Sequence, residues 1–158
     1  MRAGVINDLD DISQTDVLFQ MNKRNPEIFD VFRLNVKTGE MKLVAENPGK
    51  IEAWDTYHTG AVRIAVESDG LRTKIYHRKN DSEKFKKILE FDFKNEFSPA
   101  FFDFDNKDLY VSSNIGRDKT AIVKIDPNTG KEIDYEYALS NSLGFGGHNV
   151  TIALKKYK

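Results

Sequence analysis

Apolar and polar positions alternate along this chain in short runs, and Gly, Asn, Asp or Pro ends nearly every run. The clearest stretch is Phe102 to Tyr137 with the residues just before it. Pro99 to Phe104 is closed by Asp105-Asn106-Lys107, and Leu109 to Ser112 by Asn114 to Asp118. Thr120 to Ile125 is closed by Pro127-Asn128-Thr129-Gly130, and Glu132 to Tyr137 follows. The runs are alternating or β-branched and carry no helical period, so they predict four strands joined by tight turns, an antiparallel meander.

The same pattern recurs. Gly39, in Lys37-Thr38-Gly39-Glu40, precedes Gly130 by 91 residues, two periods of about 45. The polar run Lys79 to Glu83 falls between them. A second turn series runs through Asn22 to Pro26, Ser68-Asp69-Gly70 and Asn114 to Asp118. A third runs through His58-Thr59-Gly60, Asp105-Asn106-Lys107 and Gly147-His148-Asn149. Repeated four-stranded meanders at this spacing predict an all-β fold of β-propeller blades. The units are 5–47, 50–93, 97–138 and an incomplete one at 141–158.

Within the first unit, Val5 and Ile6 form a small apolar island, and Val17 to Met21, Phe29 to Val36 and Met41 to Ala45 read as strands. In the second, the strands are Ile51 to Tyr57, Val62 to Glu67, Thr73 to Arg78 and Phe85 to Phe91. The fourth offers Ser142 to Phe145 and Val150 to Leu154. The total is about three and a half blades, against the four to eight of a closed ring. The chain therefore reads as cut from something longer, or as finding its missing strands on another chain in a homodimer by strand pairing, since open sheet edges seek partners.

With 158 residues, 39% hydrophobic and 31% charged, one compact domain or part of a larger one is expected. A net charge of −1 argues against nucleic acid or an anionic membrane as the main partner. No apolar run reaches the roughly 18 residues of a membrane span. Location stays unknown: a native start at Met1 would imply the cytoplasm. The absence of cysteine excludes disulfides, thiolate zinc sites and a cysteine nucleophile.

Candidate chemistry is sparse. His58, His77 and His148 lack metal-binding spacing, so neither a metal nor another cofactor is expected. No Gly-x-Ser-x-Gly elbow occurs, and no catalytic residue is assigned. Gly144-Phe145-Gly146-Gly147 lacks the Lys-Ser/Thr of a phosphate loop. Asp103, Asp105, Asn106 and Asp108 resemble the start of a calcium loop, but Asp108 stands at the glycine position and Asn114 at the glutamate position; an Asx-capped turn accounts for them better. Asn114-Ile115-Gly116-Arg117-Asp118 is the most distinctive polar cluster. Either Arg117 projects into a channel to bind a carboxylate, or it pairs with a neighbouring acid beside Gly116 at positive φ. Trp54, the lone tryptophan, reads as core between blades or as a ligand platform. Arg117, Asn114 and Trp54 are thus the candidate substrate- or partner-contact residues.

The stretches Leu18 to Glu40 and Phe102 to Val123 resemble the propeller of bacterial serine peptidases of the prolyl oligopeptidase family, a likeness that extends from about Val5 to Ala138. The resemblance implies a propeller set ahead of an α/β-hydrolase domain that carries a Ser-Asp-His triad, with the propeller restricting entry to large substrates. The implied partners are a peptide substrate and the hydrolase domain of the parent protein. Since no position matches a triad residue, the chain by itself is expected to be non-catalytic within a serine peptidase parent. The competing expectation is a stand-alone propeller scaffold that binds a protein partner.

Overall fold

The structure, a computed structural model, describes residues 1–7, 13–134, 137–142 and 150–155. Its first sheet is a meander of β1 (Ala3–Asn7), β2 (Asp16–Asn25), β3 (Ile28–Asn35) and β4 (Met41–Ala45) in that spatial order. The second contains β5 (Ile51–Thr56), β6 (Val62–Ser68), β7 (Arg72–His77) and β8 (Lys86–Asp92). The third contains β9 (Phe97–Phe102), β10 (Leu109–Ser113), β11 (Ala121–Ile125) and the two-residue β12 (Glu132–Ile133). A two-stranded sheet of β13 (Tyr137–Ser142) and β14 (Val150–Lys155) follows. No helix occurs among the described residues. The chain is an all-β fold of propeller blades: three complete antiparallel meanders and a shorter fourth, not closed into a ring.

The turns follow from local chemistry. Asp126 Oδ1 accepts the backbone N–H of Asn128, and the Gly130 N–H reaches the Asp126 carbonyl at 2.8 Å. Asn35 and Gly39 repeat both features two sheets earlier, with Asn35 Oδ1 accepting from Lys37 and Thr38 and a 2.8 Å bond from Gly39 to the Asn35 carbonyl. The two glycines sit at φ +74° and +71°, where a β-carbon is strained. Pro99, which has no N–H, lies in edge strand β9 beside a register shift, where strand proline is tolerated.

Several strand bounds differ from the sequence expectation. β1 extends the Val5–Ile6 island to five residues through Gly4 and Asn7. β2 runs on through Asn25, so the turn expected at Asn22 to Pro26 contracts to Pro26 and Glu27. β9 begins two residues before Pro99. The run expected as one strand, Glu132 to Tyr137, divides between β12 and β13, and β13 precedes the strand expected at Ser142 to Phe145. Unbroken alternation across Lys131 to Tyr137 gives no cue to that division. The turn at Gly147-His148-Asn149 and the glycines at Gly144, Gly146 and Gly147 lie outside the described residues.

Two apolar seams join the sheets. Leu18, Val31 and Ala45 of the first sheet meet Val62 of the second, with Ile6, Val44, Trp54 and Phe85 around them. Ile64, Ile75 and Tyr57 meet Phe102, Leu109, Val111, Val123 and Ile125 of the third sheet. Val62 and Ile64 serve different seams although two residues apart. Pairing of Thr56 with Val62 and of Asp55 with Ile64 leaves Arg63 as an extra residue, and such a bulge reverses the facing of the strand beyond it. The first-to-second linker is pinned by Asn47. Its Oδ1 accepts from Gly49 and Ile51, its Nδ2 donates to the Phe29 and Ile51 carbonyls, and its N–H donates to Asp30 Oδ1 at 2.8 Å. Arg24 grips the same buried carboxylate with Nε and Nη2, at 3.1 and 2.9 Å.

Candidate functional site

The seam between the second and third sheets carries polar groups at both of its ends. At one end the Arg63 bulge turns a guanidinium inward, where it lies 3.3 Å from the Tyr57 ring centre. Tyr57 meets Phe102 edge to face at 3.9 Å. Arg63 Nε donates to the Arg78 carbonyl, and its Nη2 lies 2.9 Å from His77 Nε2. Because an arginine only donates, that histidine nitrogen is the acceptor and the imidazole is neutral. Burial first, and then the Arg63 charge, push the His77 pKa down to about 4. Burial also raises the Tyr57 pKa to about 12 against the pull of Arg63, and lowers that of Arg63 itself.

Arg78 completes this end. It donates to the Val62 carbonyl at 2.8 Å and to Asp81 Oδ1 at 2.7 Å, and lies over the Phe85 ring. His58 Nε2 is 3.1 Å from the Phe102 carbonyl, and the His58 N–H donates to Asn106 Oδ1, so the β5–β6 loop is tied to the end of β9 and the β9–β10 loop. Arg63 and Arg78 each donate to a backbone carbonyl and face an aromatic ring, His77 accepts from Arg63, and Asp81 accepts from Arg78. The arrangement braces the seam. Among the described residues no group of three His, Asp or Glu could hold a metal ion, and the Asp103 and Asp108 carboxylates meet Lys124 instead, at 3.4 and 2.6 Å.

The opposite end opens into a cleft of about 380 Å³ lined by Thr73, Phe91, Asn95, Glu96, Phe97, Ser98 and Ser112. Phe91 and Phe97 tilt against each other at 5.7 Å and give it an aromatic wall. Hydroxyls and the Glu96 carboxylate give it a polar rim. Asn114 stands behind that rim: its Oδ1 accepts the Glu96 N–H at 2.7 Å, and its own N–H donates to the Glu96 carbonyl at 3.2 Å. Thr120 Oγ1 donates to Glu96 Oε2 at 2.8 Å. An aromatic wall with polar groups at one side suits an amphipathic ligand such as a peptide side chain.

None of the three sequence-predicted contact residues lines this cleft, although Asn114 bonds to Glu96, which does. Asn114 holds its rim, and Arg117, on the same loop with Gly116 at φ +73°, pairs with Glu132. Trp54 lies apart from them, in the seam between the first and second sheets. Its Nε1 donates to the Phe29 carbonyl at 3.4 Å and its ring tilts against Phe85 at 5.8 Å. Sequence reasoning missed Arg63, His77 and Arg78. One signal was present: a strand whose alternation brings Arg63 between Val62 and Ile64 and ends its neighbour in His77-Arg78.

No family model matches the chain. The chain superposes on a solved prolyl endopeptidase, from a study of inter-domain dynamics in catalysis and specificity, with a TM-score of 0.52 and 17% identity. The match covers 89% of this chain and 23% of that one. A separate, short likeness exists to 3-oxoacyl-[acyl-carrier-protein] synthase 2. It is 53% identical over 34 residues to the protein of Staphylococcus aureus (strain COL) and 56% identical over 32 residues to that of Synechocystis sp.. The chain spans 8% of the length of those curated relatives, and the likeness takes in 22% and 20% of this chain.

Proposed function

We propose that this chain is a non-catalytic propeller segment that shields the active site of a prolyl oligopeptidase-type serine peptidase and limits entry to short peptides. The observation that carries the reading is the superposition on a prolyl endopeptidase over 89% of the chain. The lack of a Gly-x-Ser-x-Gly elbow supports a gating part that does no hydrolysis itself. In this reading the cleft rimmed by Glu96, which Asn114 holds, meets the peptide or the hydrolase domain. Arg117 exchanges Glu132 for a peptide carboxylate, which its planar guanidinium suits. Trp54 serves by holding the first two sheets in register.

The test is to titrate the chain into a prolyl endopeptidase hydrolase domain freed of its own propeller. Hydrolysis of a short chromogenic proline peptide should persist while that of an unfolded protein falls. An unchanged ratio at saturating chain would count against gating and favour a stand-alone scaffold. The synthase likeness supports no second reading, because a 34-residue segment is 8% of those enzymes.

A further inference from the structure

The cleft between the second and third sheets holds a carboxylate that is fixed in place and left without a counterion. Glu96 is clamped at three points: its N–H and its carbonyl bond to Asn114, and Thr120 Oγ1 donates to its Oε2 at 2.8 Å. Three other glutamates of these two sheets are neutralised by cations: Glu67 by Lys74, Glu90 by Arg72 and Lys87, and Glu132 by Arg117. Among the described residues no lysine or arginine pairs with Glu96. Arg117, on the facing loop, is held by Glu132.

The wall beside this carboxylate is aromatic and also lacks a cation. Phe91 and Phe97 are half-buried and meet at 5.7 Å. Cations of this chain lie over Phe29, Tyr57, Phe85 and Tyr110. Among the described residues none lies over Phe91 or Phe97. A ring face attracts a cation, and a carboxylate next to it adds a charge-assisted hydrogen bond. A guanidinium meets both at once, because it is planar, stacks on rings and presents a fork of N–H donors. The opposite end of the second sheet shows that combination filled: Arg78 lies over the Phe85 ring and donates to Asp81. The cleft, of about 380 Å³, is at the small end of ligand pockets, roughly 300–1,000 Å³, and suits one long side chain.

We infer that the cleft is an arginine subsite, taking one arginine side chain of a peptide with its guanidinium between the Phe91–Phe97 wall and Glu96. The inference rests on the reading of the cleft as facing the peptide, and names the side chain it selects.

A nuclear magnetic resonance titration of the chain with acetyl-Ala-Arg-Ala-amide, beside the peptide with norleucine in place of arginine, tests this. An exposed ion pair and a ring contact together should make the arginine peptide bind about tenfold more tightly, with shifts centred on Phe91, Glu96, Phe97 and Ser98. Glu96→Gln keeps an acceptor for Thr120 and should cut that preference about threefold. Glu52→Gln, an exposed glutamate on β5, should leave it intact, and circular dichroism confirms that each variant folds. Equal binding of the two peptides overturns the inference. So does a preference that survives Glu96→Gln, or one that Glu52→Gln lowers equally. The titration contains no hydrolase domain, so its outcome is separate from that of the gating assay. Adding the freed hydrolase domain should leave the arginine peptide bound; its displacement would assign the cleft to that domain and overturn the inference.

Discussion

Replacing Gly130 and Gly39 separately by alanine isolates the contribution of a single sheet-to-sheet contact. Both residues close the same Asx-type turn, at φ +71° and +74°, so alanine meets the same left-handed strain of about 1–2 kcal/mol at each. Their surroundings differ. At Gly130 the new methyl would stand 2.8 Å from the Ile88 oxygen and the Leu89 Cγ and 3.0 Å from Leu89 Cδ2, whereas carbon contacts settle near 3.5–4.0 Å. The turn must therefore retreat from β8 by somewhat under an ångström, and two of the three close atoms belong to a seam leucine. Overpacking of this kind costs about 1–3 kcal/mol. The expectation is a loss of about 1–2 kcal/mol for Gly39→Ala and about 2–5 kcal/mol for Gly130→Ala. Urea titrations followed by far-ultraviolet circular dichroism give both values, and Gly116→Ala, with open space around it, is a second reference. Equal losses at positions 39 and 130 would show that the third-sheet turn does not press on the second sheet, and the seam geometry would be wrong.

Three further outcomes are expected. His77 holds its pKa near 4 in the fold against an ordinary 6.5, so its contribution is intact above about pH 6.5 and is lost as the pH falls toward 4, by up to about 3 kcal/mol. In His77→Gln, which keeps an acceptor for Arg63, the urea midpoint should lose that share of its decline between pH 7 and pH 4.5; an unaltered decline would mean that His77 is not buried as a neutral acceptor. Asp30→Asn leaves the shape of the linker clasp but removes the charge that Arg24 and the Asn47 N–H address, and should cost about 1.5–3 kcal/mol; a melting temperature within error of the parent would refute the clasp. The chain alone should hydrolyse no acyl-aminoacyl or proline chromogenic substrate; turnover that survives repurification and is blocked by a fluorophosphonate would contradict this.

The sequence makes the sheets legible because turn chemistry is local. Asn128-Thr129-Gly130 and Lys37-Thr38-Gly39 announce the same bend wherever they stand, and the runs between them, such as Leu109 to Ser112, alternate cleanly. Where a strand depends on its neighbour, the sequence is silent. β1 contains Gly4 and Asn7 and persists through pairing with β2, while β12 stops after two paired residues within a run that alternates onward. The site was less visible for the same reason. Asn114 and Arg117 stood out as a polar cluster in a turn, but the link from Asn114 to Glu96 crosses 18 residues. Arg63 reads as one charge on an alternating strand; only the bulge, a mismatch between two strands, turns it into the seam.

That bulge also sets how the molecule comes apart. Because the strand reverses its facing at Arg63, the second sheet alone among the three contributes core residues to both seams, and its neighbours each lean on it from one side. Stability in such an array is shared between adjacent units. Slow amide exchange should therefore concentrate in β6 and β7, where opening requires both seams to yield, while the first and third sheets exchange through partial openings that leave the middle intact. A lesion at Val62 would free one flank and a lesion at Ile64 the other, so two positions one residue apart from Arg63 become separate release points for opposite ends of the chain.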